Sequence, residues 1–185
     1  MDDALWALGR GTGIVALLLM TVSVLLGILT RSGRPAFGLP RFAVTLVHRN
    51  SSLLASAFIL IHIVSLFFDP YAQLNLVDAV FPFLGSYQPF WLGLGTLAVD
   101  LLVAVMVTSL LRQRVGQRGF RFVHWFTYAM WPIALAHSIG TGTDGTSPWF
   151  IALAVLCTLS VLAALGWRLS RRFVEHSDKR VAEAR

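Results

Sequence analysis

The stretches VHRNSSLLASAFILIHI at residues 47–63 and VHWFTYAMWPIALAHS at residues 123–138 decide how this chain is read. Each is an apolar run with a histidine near either end. His48 and His62 are 14 residues apart, and His124 and His137 are 13 apart. At about 1.5 Å of rise per residue, either interval covers roughly 20 Å of helix. That is much of a hydrocarbon layer about 30 Å thick. Two such helices side by side place histidines at two matched depths, His48 with His124 and His62 with His137. Imidazole is a common haem ligand, and two imidazoles fill both axial positions of one iron. The pattern therefore nominates these four histidines as axial ligands of two haem irons. It makes transmembrane electron transfer the leading reading.

Helical phase supports one helix more readily than the other. At about 100° per residue, 14 positions return to within roughly 40° of the same face, while 13 positions miss by about 140°. Pro132 lies inside the second interval. A proline removes a backbone hydrogen bond and kinks a helix. The expectation is a distortion at Pro132 that turns His137 toward the other histidines.

Composition sets the surroundings. Of 185 residues, 56% are hydrophobic and 13% charged, with a mean hydropathy of +0.71. Soluble domains average about 25% charged residues. Five segments are long and apolar enough to span a bilayer, near residues 5–29, 43–68, 89–111, 121–141 and 149–168. The fold class expected is an all-α integral membrane bundle of five helices. It forms one domain over residues 1–170, with a polar basic tail at 171–185. The chain begins Met-Asp-Asp without a basic leader, so the first run is read as a retained helix. The lone Cys157 sits in an apolar run and is expected to be an inert buried thiol.

A net charge of +6 and a pI near 10.7 do not indicate nucleic acid, because the charges fall between spans. Arg31, Arg34, Arg41 and Arg49 follow the first span. Arg112, Arg114, Arg118 and Arg121 follow the third, and Arg168, Arg171, Arg172, Lys179, Arg180 and Arg185 close the chain. Arg10 alone among 15 basic residues lies on the opposite side. The positive-inside rule then places the N-terminus outside and the C-terminus in the cytoplasm. Tyr71, Phe81, Phe83, Tyr87, Phe90 and Trp91 crowd the outer side, as interfacial aromatics do. His176, in the polar tail, is read as a solvated surface residue.

The two quoted segments resemble the haem helices of ferric-reductase-like transmembrane domains. That superfamily includes ferric reductases, NADPH oxidases and the haem-binding membrane subunit of the bacterial methionine-sulfoxide reductase system. The resemblance covers roughly residues 8–170. It implies that His48 and His124 bind an inner b-type haem and that His62 and His137 bind an outer one. It implies electrons entering from a cytoplasmic flavin donor and leaving to an outer acceptor such as ferric iron. Ferric chelates, quinone, oxygen or a periplasmic-type protein are acceptors compatible with it. It also implies a bacterial inner membrane as location. No GxGxxG follows a strand pattern, and little chain follows the fifth segment. Flavin is thus expected on a separate cytoplasmic flavoprotein reductase.

Propionates need cationic partners. Arg49 adjoins His48, and Arg121 precedes His124 by about one turn, so both are candidates for the inner haem. Tyr87, Gln88, Ser138 and Thr141 are the outer candidates. The basic run RQRVGQRGFR at 112–121 suits either topology sorting or docking of an acidic flavoprotein, and it attracts anionic lipid. Asp100 is the one acidic residue deep in a span, and such residues usually face the bundle interior. A small transporter is the competing reading, resting on Asp100 and Pro132. A non-catalytic scaffold for a redox partner is the third.

Overall fold

The computed structural model describes residues 2–32, 35, 38–70, 72, 74–171 and 173. Arg34, Tyr71, Arg172, His176, Lys179, Arg180 and Arg185 lie outside the described residues, so the tail expected at 171–185 is almost wholly outside them.

The described chain is all-α, with seven helices and no strand. They are α1 (Asp2–Ser32), α2 (Arg41–Phe68), α3 (Leu76–Val80), α4 (Pro89–Leu110), α5 (Arg112–Trp125), α6 (Thr127–Thr141) and α7 (Pro148–Leu169). Four of these, α1, α2, α4 and α7, are long and apolar enough to cross a membrane. Leu60, Phe68, Leu110 and Leu156 are more than half exposed, as side chains facing lipid would be. Proline sets three of the starts. Pro89 and Pro148 occupy the first helical turn of α4 and α7, where the missing N–H costs no hydrogen bond, and Pro40 caps α2 in extended geometry.

The segment expected as one helix over 121–141 is divided. α5 ends at Trp125, and α6 starts at Thr127. Phe126 between them donates its N–H to the Val123 carbonyl at 3.0 Å, a tight i−3 turn. The interruption thus falls at Phe126, two residues after His124, and not at Pro132, which stays within α6. His124 and His137 stand on different helices, so the phase penalty for one continuous helix does not apply to them.

Two helical hairpins make the bundle. α1 packs along α2, and α4 packs along α6, while α1 also touches α6 and α7. α2 and α6 scarcely meet, which leaves a cleft between the two helices that carry most of the histidines. At mid-height a core of Met20, Ala55, Ala98, Met130, Trp131, Cys157 and Val161 closes that cleft. There Trp131 Nε1–H donates to Thr21 Oγ1 at 3.0 Å, with both side chains buried. Cys157 is a buried free thiol, as expected.

The connection before α4 folds back over that helix. Thr96 Oγ1–H donates to the Asp78 carbonyl at 2.5 Å, and Phe83 takes a left-handed φ of 69° to lie on Gly93. A Cβ at Gly93 would overlap the Phe83 ring and backbone. Asp100 corrects the expectation of an inward carboxyl. It lies on the exposed face of α4, two residues from buried Ala98 and therefore on the far side of the helix.

Candidate functional site

The four histidines converge as two pairs across the cleft. His48 from α2 and His124 from the last turn of α5 have ring centres 6.4 Å apart, with ring planes at 82°. His62 from α2 and His137 from α6 have centres 6.5 Å apart, with planes at 86°. A ligating imidazole nitrogen lies about 2.0 Å from its metal and about 1.1 Å from its own ring centre. Two imidazoles on one metal therefore hold their centres roughly 6.2 Å apart. Both pairs match that spacing.

Three of the rings are oriented by one repeated device. His62 Nδ1–H donates to the Gly9 carbonyl at 2.7 Å, His48 Nδ1–H to the Ser23 carbonyl at 2.9 Å, and His137 Nδ1–H to the Trp91 carbonyl at 2.9 Å. A carbonyl only accepts, so each Nδ1 carries the proton and each Nε2 keeps a free lone pair. Four residues after each carbonyl comes a glycine: Gly13, Gly27 and Gly95. A Cβ there would stand 3.1 Å from His62, 3.3 Å from His48 and 2.5 Å from His137. The bare glycine lets each imidazole lie against the neighbouring helix and reach a carbonyl whose second lone pair is available. Gly13 and Gly27 are 14 residues apart, as are the histidines that they seat.

His124 is the exception. Its Nδ1 is buried without a hydrogen-bond partner among the described residues. Its ring is instead flanked by Phe120, one turn earlier, at 5.1 Å between centres and a 35° tilt.

A cavity of about 450 Å³ opens beside His62 and His137, within the usual range for cofactor pockets, about 300–1,000 Å³. Of the outer propionate candidates, Tyr87, Ser138 and Thr141 line it, and Gln88 is not among its lining residues. Arg10 lines it too, a role the sequence reading did not assign. The Arg10 guanidinium pairs with Asp144 and lies 4.0 Å over the Trp6 ring. The signal was present in the sequence, where the charge pattern sets Arg10 apart from the other basic residues and it adjoins Gly9. Arg49 and Arg121 are both exposed, beside His48 and one turn before His124 respectively. Arg31, in the last turn of α1, comes within electrostatic reach of His124.

The donor set narrows the chemistry. Among the described residues, no three His, Cys, Asp or Glu side chains gather as a metal-binding group. Two imidazoles are too few for a four-coordinate zinc site. They suffice where a macrocycle supplies the other ligands, as in haem. The family model for the ferric reductase like transmembrane component matches residues 12–135, about two thirds of the chain. The chain belongs to that family. No curated protein and no solved structure matched it. The matched region of this ferric-reductase-like chain includes His48, His62 and His124 and stops two residues short of His137. His137 is placed by the fold instead, through its carbonyl partner on α4 and its ring pairing with His62.

Proposed function

We propose that this chain carries electrons across a membrane through two b-type haems, the inner of which His48 and His124 would hold and the outer His62 and His137. The observation that carries the reading is the pair of imidazole couples at a separation suited to one shared metal, with three Nδ1–H groups tied to backbone carbonyls so that each Nε2 keeps its lone pair. Membership of the ferric-reductase-like family supports a redox role. Each haem, when bound, takes up and gives back one electron at its iron. The chain's own residues do the rest. The histidines hold and orient, the glycines and carbonyls fix the rings, and the mid-height core separates the two sites and keeps water out. Arg10, Tyr87, Ser138 and Thr141 would receive the outer propionates, and Arg31, Arg49 and Arg121 would serve the inner ones.

In this reading α1, α2, α4, α6 and α7 are five crossings, with the N-terminus outside and the C-terminus in the cytoplasm of a bacterial inner membrane. α6 spans about 22 Å and completes its crossing with the end of α5. The rest of α5 is an amphipathic basic helix, bent at Gly116 (φ 77°), that suits the cytoplasmic interface. Its arginines form the docking face for an acidic flavoprotein reductase, and a ferric complex or another one-electron acceptor is reduced at the outer cavity. The exposed position of Asp100, away from the cleft, weighs against the transporter reading.

Proteoliposomes provide the test. Reduced flavin supplied on the side of α5 should reduce a ferric chelate confined to the opposite side, and His62→Ala should abolish that transfer. Equal transfer by the variant would contradict the proposal.

A further inference from the structure

Four histidines of one type are held in two different ways. For His48, His62 and His137 the ring is clamped, with Nδ1–H on a backbone carbonyl and Cε1 close against a glycine. A carbonyl on Nδ1–H makes Nε2 a stronger donor and stops the ring from turning, and loss of such a partner typically costs about 10–100-fold in metal affinity. His124 has neither clamp. Its Nδ1 has no acceptor among the described residues, and the α4 residue 14 positions beyond Gly95 is Ser109, so the glycine spacing of α1 is not repeated there. Phe120 supports the ring by an apolar contact that fixes no direction. His124 also stands two residues before the α5–α6 junction, where the Phe126 N–H turns back to the Val123 carbonyl. His124 is thus the least firmly oriented donor of the four.

We infer that His124 is the displaceable ligand of the set, so that the inner site admits a small neutral ligand on the His124 side while the outer site stays closed. The inference rests on the two-haem reading above. The event is a plain ligand exchange. The bond from His124 Nε2 breaks, one bond to the incoming ligand forms, and the displaced imidazole stays neutral with no electron transferred. His48 remains bound throughout, held by Ser23 and Gly27. The outer pair offers no equivalent step, because both His62 and His137 are clamped.

Carbon monoxide added to the dithionite-reduced full chain in detergent is the probe. The expected result is that half of the haem shifts its Soret band and half does not. Phe120→Leu should raise the rate of that shift several-fold, because it loosens His124 without touching a ligand. Two haems per chain with no carbon monoxide uptake would overturn the inference and leave the two-haem reading standing. So would uptake by all of the haem, or an unchanged rate in Phe120→Leu. Failure of the two-haem reading has a separate signature, the absence of haem from the protein before the gas is added.

Discussion

Gly95 leaves less room than either of the other two glycine seats. A Cβ there meets His137 at 2.5 Å, against 3.1 Å at Gly13 and 3.3 Å at Gly27. Contacts below about 3 Å force a ring or a helix to move. Gly95→Ala is therefore expected to cost the outer haem, Gly13→Ala to weaken it, and Gly27→Ala to leave the inner haem nearly intact. Haem retained per chain after gel filtration measures the series, and a reversed order would sink the account of the seats. The near-perpendicular ring planes of both pairs carry a second expectation. The oxidised protein should give a strongly anisotropic low-spin EPR signal, whereas parallel imidazoles would give a more rhombic one. The histidines themselves were legible in the sequence, because their spacing is a property of the chain alone. The glycines were less so. GRGTG at residues 9–13 reads as small residues for packing, and only the folded α1–α2 pair shows which ring each glycine meets. Arg10 was counted for topology and overlooked as a cavity residue, since its position depends on the contact with Asp144 far along the chain.

At the scale of elements, α1 and α6 are joined by one buried polar contact, Trp131 Nε1–H to Thr21 Oγ1. Thr21→Val keeps the shape and removes the acceptor. It should destabilise the bundle by about 1–3 kcal/mol, the usual penalty for an orphaned buried donor. Thermal unfolding in detergent reads this, and an unchanged midpoint would mean that Trp131 finds another acceptor. The spans at α1, α2, α4 and α7 were legible because length and apolarity suffice to define them. The division at Phe126 was not. Residues 121–141 form one apolar run, and nothing in the local composition marks a tight turn two residues after His124. Pro132 drew the expectation of a kink, yet α6 accommodates it. The α3 connection was equally hidden, since its hold on α4 depends on Thr96, Asp78 and the Phe83–Gly93 contact, which are distant in sequence or unremarkable alone.

For the whole molecule, charge placement makes orientation testable. A cysteine at Thr146, exposed between α6 and α7, should react with an impermeant maleimide from outside, and one at Gln117 in α5 only after the membrane is opened. Buried Cys157 should stay silent in both. The opposite labelling would invert the proposed direction of electron flow. Asp100 presents a carboxyl at mid-span on an exposed face, and a charge at that depth costs about 2.5–3.5 kcal/mol on insertion scales. Asp100→Asn should leave the haem spectrum unchanged and raise thermal stability; a shifted spectrum would show that Asp100 acts on the cleft after all. Everything said of function depends on the two imidazole couples each holding one iron. The pyridine-haemochrome spectrum and the haem-to-protein ratio of the detergent-purified chain test that directly. The account predicts two b-type haems per chain, falling to one in either His62→Ala or His137→Ala. A chain that binds no haem, even after reconstitution with haemin, would contradict it.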